Sequence, residues 1–414
     1  MERQLSLLEV KDMLKYIIAN NQIIQKEGRV PKAVELESPP GIGKTSLVVD
    51  LAKELNMDVV CLNLAQLDEL GDLVGLPLKE YEFCKYIEDG KNETVEECVW
   101  VPEKTVSYYQ SMPGWKFNNN TRTHYSKPFW LKENYTNGLI LCLDDYTRAS
   151  QKFMQACMEL INKQEYYSWK LPENSHIILT TNPDDGNFNV FGMDSAQQTR
   201  YLTFKVKFDI DAWIKWAVNN RVDERCVAFV QHNHTHLFPQ YYSENTKDGN
   251  AHPVNPRVAN MFFDCLKSIK DYGKQIDVVT DLGNATIGSA TTLFLQFINQ
   301  GLDKIFTSEQ LLDEAFSKVE ENLKTHVKKV DDSKYRTDIA AIVADRVFNE
   351  LVYRYESKKE RVKPSHRKRM LELLNSDYFS VDIKNKIVNS LFTSFTLNAF
   401  IDETMAVELH KFVR

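Results

Sequence analysis

The sequence has no Cys-x-x-Cys pair, no internal repeat and no low-complexity tract, and each absence removes a class of protein. Seven cysteines, Cys61, Cys84, Cys98, Cys142, Cys157, Cys226 and Cys265, stand apart, several among apolar neighbours, as buried thiols do. They offer no paired zinc or redox motif, and a reducing compartment is expected. No apolar run is long enough to span a membrane, and the start carries Glu9, Lys11 and Asp12 within an amphipathic helical pattern, unlike a secretion signal. A cytoplasmic location is the expectation. Charge of one sign is scarce too: 51 basic and 58 acidic side chains leave a net −7, with a pI near 5.8. No global field points to a nucleic acid or lipid surface, so any such contact must be local. What remains is 414 residues, 43% hydrophobic and 26% charged, ample for a folded core and two or three domains.

Short apolar runs alternate with helical stretches through the first half, the pattern of a parallel sheet with crossover helices. Val34 to Leu36, Val59 to Leu64, Leu139 to Leu143, Ile177 to Thr180 and Leu202 to Phe208 are the expected strands. A connection from about Gly71 to Asn137, rich in Tyr, Trp and Asn, is too long for an ordinary loop and is expected to be structured or functional. Beyond Phe208 the reading is helical. Three domains are expected: a sheet-bearing core over 1–208 with the insertion at about 71–137, a smaller helical domain over 209–301, and a helical extension over 302–414.

The strongest chemical signal is Ser38-Pro39-Pro40-Gly41-Ile42-Gly43-Lys44-Thr45-Ser46, between an apolar strand and a helix-forming run. A triphosphate needs many donors and a positive field. Here the loop Pro39 to Ser46 would supply them, through the backbone N–H groups of residues 41 to 46 and the helix start. Lys44 would reach the β- and γ-phosphates of ATP, and the Thr45 hydroxyl would take one position on Mg²⁺. The usual pattern opens on Gly, where this chain has Ser38.

Hydrolysis also requires an acid near the metal and a group to position water. Leu139-Ile140-Leu141-Cys142-Leu143-Asp144-Asp145 supplies both, as a strand buried on both faces with its acids at the C-terminal end. Asp144 is expected to hold Mg²⁺ and Asp145 to polarise the attacking water. Asn182, ending Ile177-Ile178-Leu179-Thr180-Thr181-Asn182, is placed to orient water or touch the γ-phosphate. Arg200 precedes the last strand as a candidate arginine finger for a neighbouring subunit, and Arg257 opens a later helix as a candidate reporter of nucleotide state.

The sequence resembles the MoxR-like AAA+ ATPases. The likeness lies in the phosphate loop and in Gln66-Leu67-Asp68, Asp72-Leu73-Val74-Gly75-Leu76-Pro77, Asp144-Asp145-Tyr146-Thr147-Arg148-Ala149, Tyr167-Ser168-Trp169-Lys170-Leu171-Pro172, Asp209-Ile210-Asp211-Ala212-Trp213 and Asn255-Pro256-Arg257. It covers roughly residues 5 to 300. The resemblance implies an α/β AAA+ P-loop core, a parallel sheet flanked by helices, with a helical lid domain; the tail beyond it reads as a helical C-terminal extension. It implies hexamer-like ring homo-oligomers and action on partner proteins, von Willebrand A-domain proteins among them. It makes Lys44 and Thr45 the Walker A pair, Asp144 the Walker B metal acid, Asn182 sensor one, Arg200 the arginine finger and Arg257 sensor two. The family has Glu where this chain has Asp145; that shorter reach implies slow hydrolysis, since a shift of about 1 Å at a catalytic group can lower a rate on the order of a hundredfold. Two other readings stand beside it: an ATP-gated scaffold with little turnover, and a nucleic-acid-directed motor.

Other motifs carry weaker expectations. His232, His234 and His236 alternate as strand-borne metal ligands would, yet a solvated loop is the expectation there. The cluster Arg354, Lys358, Lys359, Arg361, Lys363, Arg367, Lys368 and Arg369 is the local case for nucleic acid, read as a mixed helix face in solvent. The insertion, with Gln164 to Lys170 and its Tyr166, Tyr167 and Trp169, is expected to form the surface that meets a client.

Overall fold

The computed structural model describes residues 3–89, 92–135, 137–184, 195–242, 254–301, 305–327, 336–394 and 400–412. The chain divides into two units, Met1–Lys207 and Phe208–Arg414.

The first unit begins α1 (Leu7–Lys26), β1 (Ala33–Glu37), α2 (Lys44–Glu54), β2 (Asp58–Asn63) and α3 (Leu70–Val74). The insertion follows as β3 (Pro77–Asp89), β4 (Asn92–Pro102), α4 (Val106–Ser111) and β5 (Trp115–Tyr125). The unit closes with β6 (Leu139–Asp144), α5 (Gln151–Lys163), β7 (Glu165–Tyr166), β8 (Trp169–Lys170), β9 (Ser175–Thr181), α6 (Ser195–Gln198) and β10 (Tyr201–Lys205).

Five of these strands form a parallel sheet in the order β10-β1-β9-β6-β2. The apolar run of β6 is continuous because helices cover both faces of the sheet: Leu139 through Leu143 are fully buried, and so is every residue of β9. Strand order reverses beside β1, so the C-terminal ends of β1, β9 and β6 open together on one edge, where such sheets hold ligands. The phosphate loop leaves β1 at that edge and enters α2, whose Leu47, Val48, Leu51 and Ala52 turn inward. A parallel sheet flanked by helices, with the loop crossing from β1 to α2, is the α/β fold class expected from the resemblance.

The insertion is a separate antiparallel sheet of order β4-β3-β5. Its aromatic residues make a small core of their own, with Phe83 packed on Tyr109 and Phe117 at ring distances of 5.8 and 5.7 Å, and Tyr109 on Trp115 at 5.1 Å. Trp130 instead joins the main core, its Nε1 donating to the Leu73 carbonyl at 3.0 Å. The entry to the sheet is pinched at Gly75, where a Cβ would lie 1.7 Å from the Ser126 carbonyl oxygen. With φ 84° and ψ 168°, this backbone is open essentially to glycine alone.

Cys84 and Cys98 are joined as a disulfide across the β3–β4 ladder, with Cα atoms 4.0 Å apart. The expectation of isolated thiols is therefore corrected for these two, which a bulged hairpin folds face to face. Cys142, Cys157 and Cys226 are buried free thiols, while Cys61 and Cys265 are exposed.

The second unit comprises α7 (Ile210–Asn219), α8 (Glu224–Leu237), α9 (Pro256–Leu266), α10 (Ile276–Thr286), α11 (Thr291–Asn299) and α12 (Ser308–Asp313). It continues as α13 (Phe316–His326), α14 (Thr337–Leu351), α15 (Pro364–Asn375), α16 (Val381–Thr393) and α17 (Glu403–Leu409). Asp209, Asp223, Asn255, Thr307, Ser380 and Asp402 each accept a backbone N–H at a helix start, which is why these helices begin where they do. Residues on both sides of position 302 share one apolar core, with Phe229, Phe262, Phe294 and Phe400 fully buried.

Two expectations are corrected here. His232, His234 and His236 lie on α8 rather than in a loop; a helix turns residues two apart by about 200°, so the three do not share a face. His232 faces Asp345 at 3.8 Å, and His234 packs on Tyr242 at 5.1 Å. The basic cluster is likewise no uniform solvated face. Arg354 is buried between Glu350 (2.7 Å) and Asp313 (3.1 Å), and Arg369 is buried with donors to the Leu311 and Glu314 carbonyls. Arg367 holds the Phe400 carbonyl at 2.6 Å and Asp402 at 2.7 Å. These arginines fasten helices to one another, which removes them from any nucleic-acid footprint.

Candidate functional site

Gly43, at φ 107°, turns the chain in the left-handed region immediately before α2, and Lys44 is the first helical residue. The base of the loop is tied to the neighbouring strand by Ser38 N donating to Thr181 O at 3.2 Å. Lys44 is 8% exposed. Its Nζ is folded back on its own loop, donating to Ser38 O at 2.7 Å, Ser38 Oγ at 2.9 Å and Pro39 O at 3.3 Å. It also reaches Asn182 Oδ1 at 3.4 Å. Ser38 thus supplies an acceptor that a glycine at this position lacks.

Thr45 Oγ1 donates to Asp144 Oδ1 at 2.8 Å, joining the start of α2 to the end of β6. Thr180 Oγ1 donates to the same Asp144 oxygen and accepts from Asp145 N at 3.2 Å. Asp145 itself takes a left-handed backbone, φ 52°. One of its carboxylate oxygens accepts from Asn182 Nδ2 at 3.4 Å, the other from Arg148 Nη1 at 3.3 Å. Residues from three separate segments, 44–45, 144–145 and 180–182, are therefore one hydrogen-bonded group. The groups hydrogen-bonded at Asp144, the Thr45 and Thr180 hydroxyls and its own carboxylate, offer oxygen ligands, which suit a hard cation such as Mg²⁺ rather than a soft one.

Behind this group lies Glu35, 2% exposed in the middle of β1. Its carboxylate accepts from Thr181 Oγ1 at 2.9 Å and Thr203 Oγ1 at 2.7 Å. Burial pushes its pKa up, against the lowering effect of the two hydroxyls. Thr180 and Asn182 face the loop while Thr181 faces Glu35, the alternation of a strand. Neither Thr180 nor Glu35 was singled out in the sequence. Reading period two back from Asn182 would have found Thr180, whereas Glu35 gives no signal until its two partners are seen.

Arg200 lies in the turn before β10, its Nη1 3.8 Å from Met158 Sδ on α5. Arg257 is exposed on the first turn of α9, in the second unit. The client-facing expectation for the hairpin β7–β8 is corrected in part. Tyr166 and Trp169 are 8% and 4% exposed and belong to the main core, with Trp169 Nε1 donating to Val74 O at 2.9 Å. Tyr167 is 80% exposed, stacked on Tyr125 at 5.1 Å.

No family model and no curated protein matches the sequence. Among solved structures, a point variant of RuvB from Thermotoga maritima aligns at 12% identity over 75% of this chain and 79% of its own, with a TM-score of 0.33. The Thermotoga maritima RuvB Holliday junction branch migration motor aligns at 12% identity over 86% and 95%, with a TM-score of 0.32. A Cytophaga hutchinsonii protein provisionally assigned as an ATPase aligns at 14% identity over 86% and 79%, with a TM-score of 0.28. What those proteins bind or move is said of them alone.

Proposed function

We propose that the chain is a Mg²⁺-dependent ATPase of the AAA+ type, MoxR-like in its motifs, which assembles into a ring and acts on a partner protein. The observation that carries this reading is the 2.8 Å contact of Thr45 Oγ1 with Asp144 Oδ1, with Lys44 Nζ 3.4 Å from Asn182 Oδ1. A lysine, a hydroxyl, a carboxylate and an amide at the open edge of a parallel sheet form the donor and acceptor set that a magnesium triphosphate needs. Thr45 and Asp144 would hold the cation. Bound Mg²⁺ would neutralise charge on the β- and γ-phosphate oxygens.

The chain's own residues do the rest. Lys44 exchanges its loop carbonyl acceptors for phosphate oxygens, and residues 41 to 46 direct backbone donors at the same charge. Asp145 accepts a proton from the attacking water, which Asn182 orients. Because both carboxylate oxygens of Asp145 are already engaged, by Asn182 and Arg148, and Asp is shorter than Glu, turnover is slow. Arg200, in the turn before β10, serves the nucleotide of an adjacent subunit, and Arg257 reports nucleotide state to the second unit. Tyr108, Phe117 and Phe129 in the insertion and Tyr167 on the β7–β8 hairpin are exposed aromatic positions open to a client protein, a von Willebrand A-domain protein being the type implied by the resemblance.

Steady-state phosphate release tests the assignment. Wild type should release phosphate slowly in Mg²⁺ and ATP. Asp145→Asn should retain nucleotide binding and lose turnover, and Lys44→Ala should lose both. Equal turnover in wild type and Asp145→Asn would remove Asp145 from the chemistry.

A further inference from the structure

The insertion sheet places two sulfurs and a carboxylate together. Cys84 on β3 faces Cys98 on β4, and Glu82, two residues before Cys84, shares its face of the strand. One donor atom from each of Glu82, Cys84 and Cys98 lies within 4.8 Å of the other two. A tetrahedral zinc centre sets its donors about 3.6 Å apart, given Zn–S near about 2.3 Å and Zn–O near about 2.1 Å. To meet that geometry the two sulfurs, bonded in the oxidised state, move apart on reduction to about 3.6 Å, and the Glu82 carboxylate stands within 4.8 Å of both.

The carboxylate is held as a metal ligand would be. Glu82 Oε2 accepts from Asn118 Nδ2 at 2.7 Å and from Asn120 Nδ2 at 2.8 Å, both on β5. A bulge between Tyr81 and Phe83 in the β3–β5 ladder accompanies this double contact. Oε1 makes no hydrogen bond among the described residues. Outer hydrogen bonds of this kind orient a ligating oxygen and raise metal affinity. Cys84 is 1% exposed while Cys98 is exposed, so the pair is anchored in the sheet at one residue and open to an entering ion at the other.

We propose that the Cys84–Cys98 disulfide, once reduced, is replaced by a metal site in which Cys84, Cys98 and Glu82 bind a thiophilic divalent cation, Zn²⁺ by preference, with water as the fourth ligand. Reduction is by a dithiol. One thiolate of the reductant attacks a sulfur of the disulfide, its second thiol displaces the other cysteine and closes to a cyclic disulfide, and both cysteines are left as thiols. Binding of the cation as a bis-thiolate releases two protons to solvent. Either state ties β3 to β4, so the hairpin keeps a crosslink in an oxidising or a reducing compartment. The two cation sites of the chain are then separated by softness: oxygen donors at Thr45 and Asp144 for Mg²⁺, and a sulfur-rich set here that Mg²⁺ does not favour. This assignment does not depend on nucleotide binding.

The test uses full-length protein, reduced with an immobilised dithiol, separated anaerobically and titrated with Co²⁺ and then Zn²⁺. Reduced wild type should develop the thiolate-to-cobalt charge-transfer band and the visible bands of a tetrahedral ion, saturating at one ion per chain and displaced by Zn²⁺. Oxidised protein should show neither. Cys98→Ser, at an exposed position, should lose the charge-transfer band, with circular dichroism reporting that it is folded. Glu82→Gln folds with the disulfide intact and, after reduction, should bind Zn²⁺ at least about tenfold more weakly. The double change Asn118→Ala with Asn120→Ala should weaken Zn²⁺ by about tenfold to hundredfold. Absence of the bands in reduced wild type overturns the proposal. So does equal affinity in Glu82→Gln, or an unchanged band in Cys98→Ser, which would place the ion at another thiol such as Cys61 or Cys265.

Discussion

Thr180 is a neutral hydroxyl among charged residues, yet it touches both acids: it donates to the Asp144 carboxylate and accepts from the Asp145 backbone. Thr180→Val keeps the shape and removes both bonds, leaving Asp144 less well oriented. The expected result is a fall of about tenfold to hundredfold in Mg²⁺ affinity, measured by titrating Mg²⁺ against ATPase rate, with metal-free nucleotide binding unchanged. An unaltered Mg²⁺ midpoint would make Thr180 a packing residue only.

Two buried titratable groups give the first unit opposite responses to pH. His176 on β9 is 2% exposed, with Nδ1 3.5 Å from Asn21 Nδ2 and Nε2 2.9 Å from Asn174 Oδ1, partners that satisfy a neutral ring. Burial lowers its pKa from 6.5 to about 4. The unfolded chain then binds the proton first as pH falls, so stability present above 6.5 is lost between 6.5 and 4, about 3 kcal/mol from this group. Glu35 runs the other way: its raised pKa contributes stability below 4.5 that is lost as pH rises through the folded value. Denaturant midpoints across pH 4 to 7 should show His176→Gln losing less stability on acidification than wild type. Parallel curves would mean that the native His176 ring protonates freely.

Among the elements, the insertion depends on its neck. Gly75→Ala puts a Cβ against the Ser126 carbonyl in a backbone conformation few residues adopt, a loss of more than about 3 kcal/mol for the neck. Limited proteolysis should then cut within 76–126 before the rest of the first unit; an unchanged pattern would mean that the neck relaxes without unpacking the sheet. Elements were legible in the sequence wherever their signal was contiguous. The strand–loop–helix at 33–54 and the buried strands ending in Asp144 and Asn182 carry apolar runs, punctuation and chemistry within a few residues each. The Cys84–Cys98 pairing was not legible, because a separation of 14 says nothing until the hairpin register is known. The roles of Arg354 and Arg369 were hidden for a related reason. Composition counts cations but not the carboxylates and helix-end carbonyls that distant segments bring to them. The alternating histidines read as a strand pattern because period two was visible in three residues, whereas the helical period of α8 needs all fourteen.

At the scale of the whole molecule, the proposal of a shared nucleotide site makes activity a property of the assembly. Arg200→Ala subunits lack the arginine offered to a neighbour, and Lys44→Ala subunits lack the phosphate loop. Mixed in equal amounts, they should recover part of the wild-type rate that neither has alone, since an arginine supplied between subunits contributes factors of about 10³ to 10⁵ in related chemistry. No recovery in well-mixed assemblies would place Arg200 outside a shared site. Among the described residues no helix is long and apolar enough to cross a membrane. The most direct test of the central claim is calorimetric titration of ATP into the purified chain with Mg²⁺ and with a chelator in its place. The account predicts saturable binding that Mg²⁺ tightens in wild type, no binding in Lys44→Ala, and binding that Mg²⁺ no longer tightens in Asp144→Asn. Absence of binding in wild type, or equal Mg²⁺ enhancement in Asp144→Asn, would contradict it.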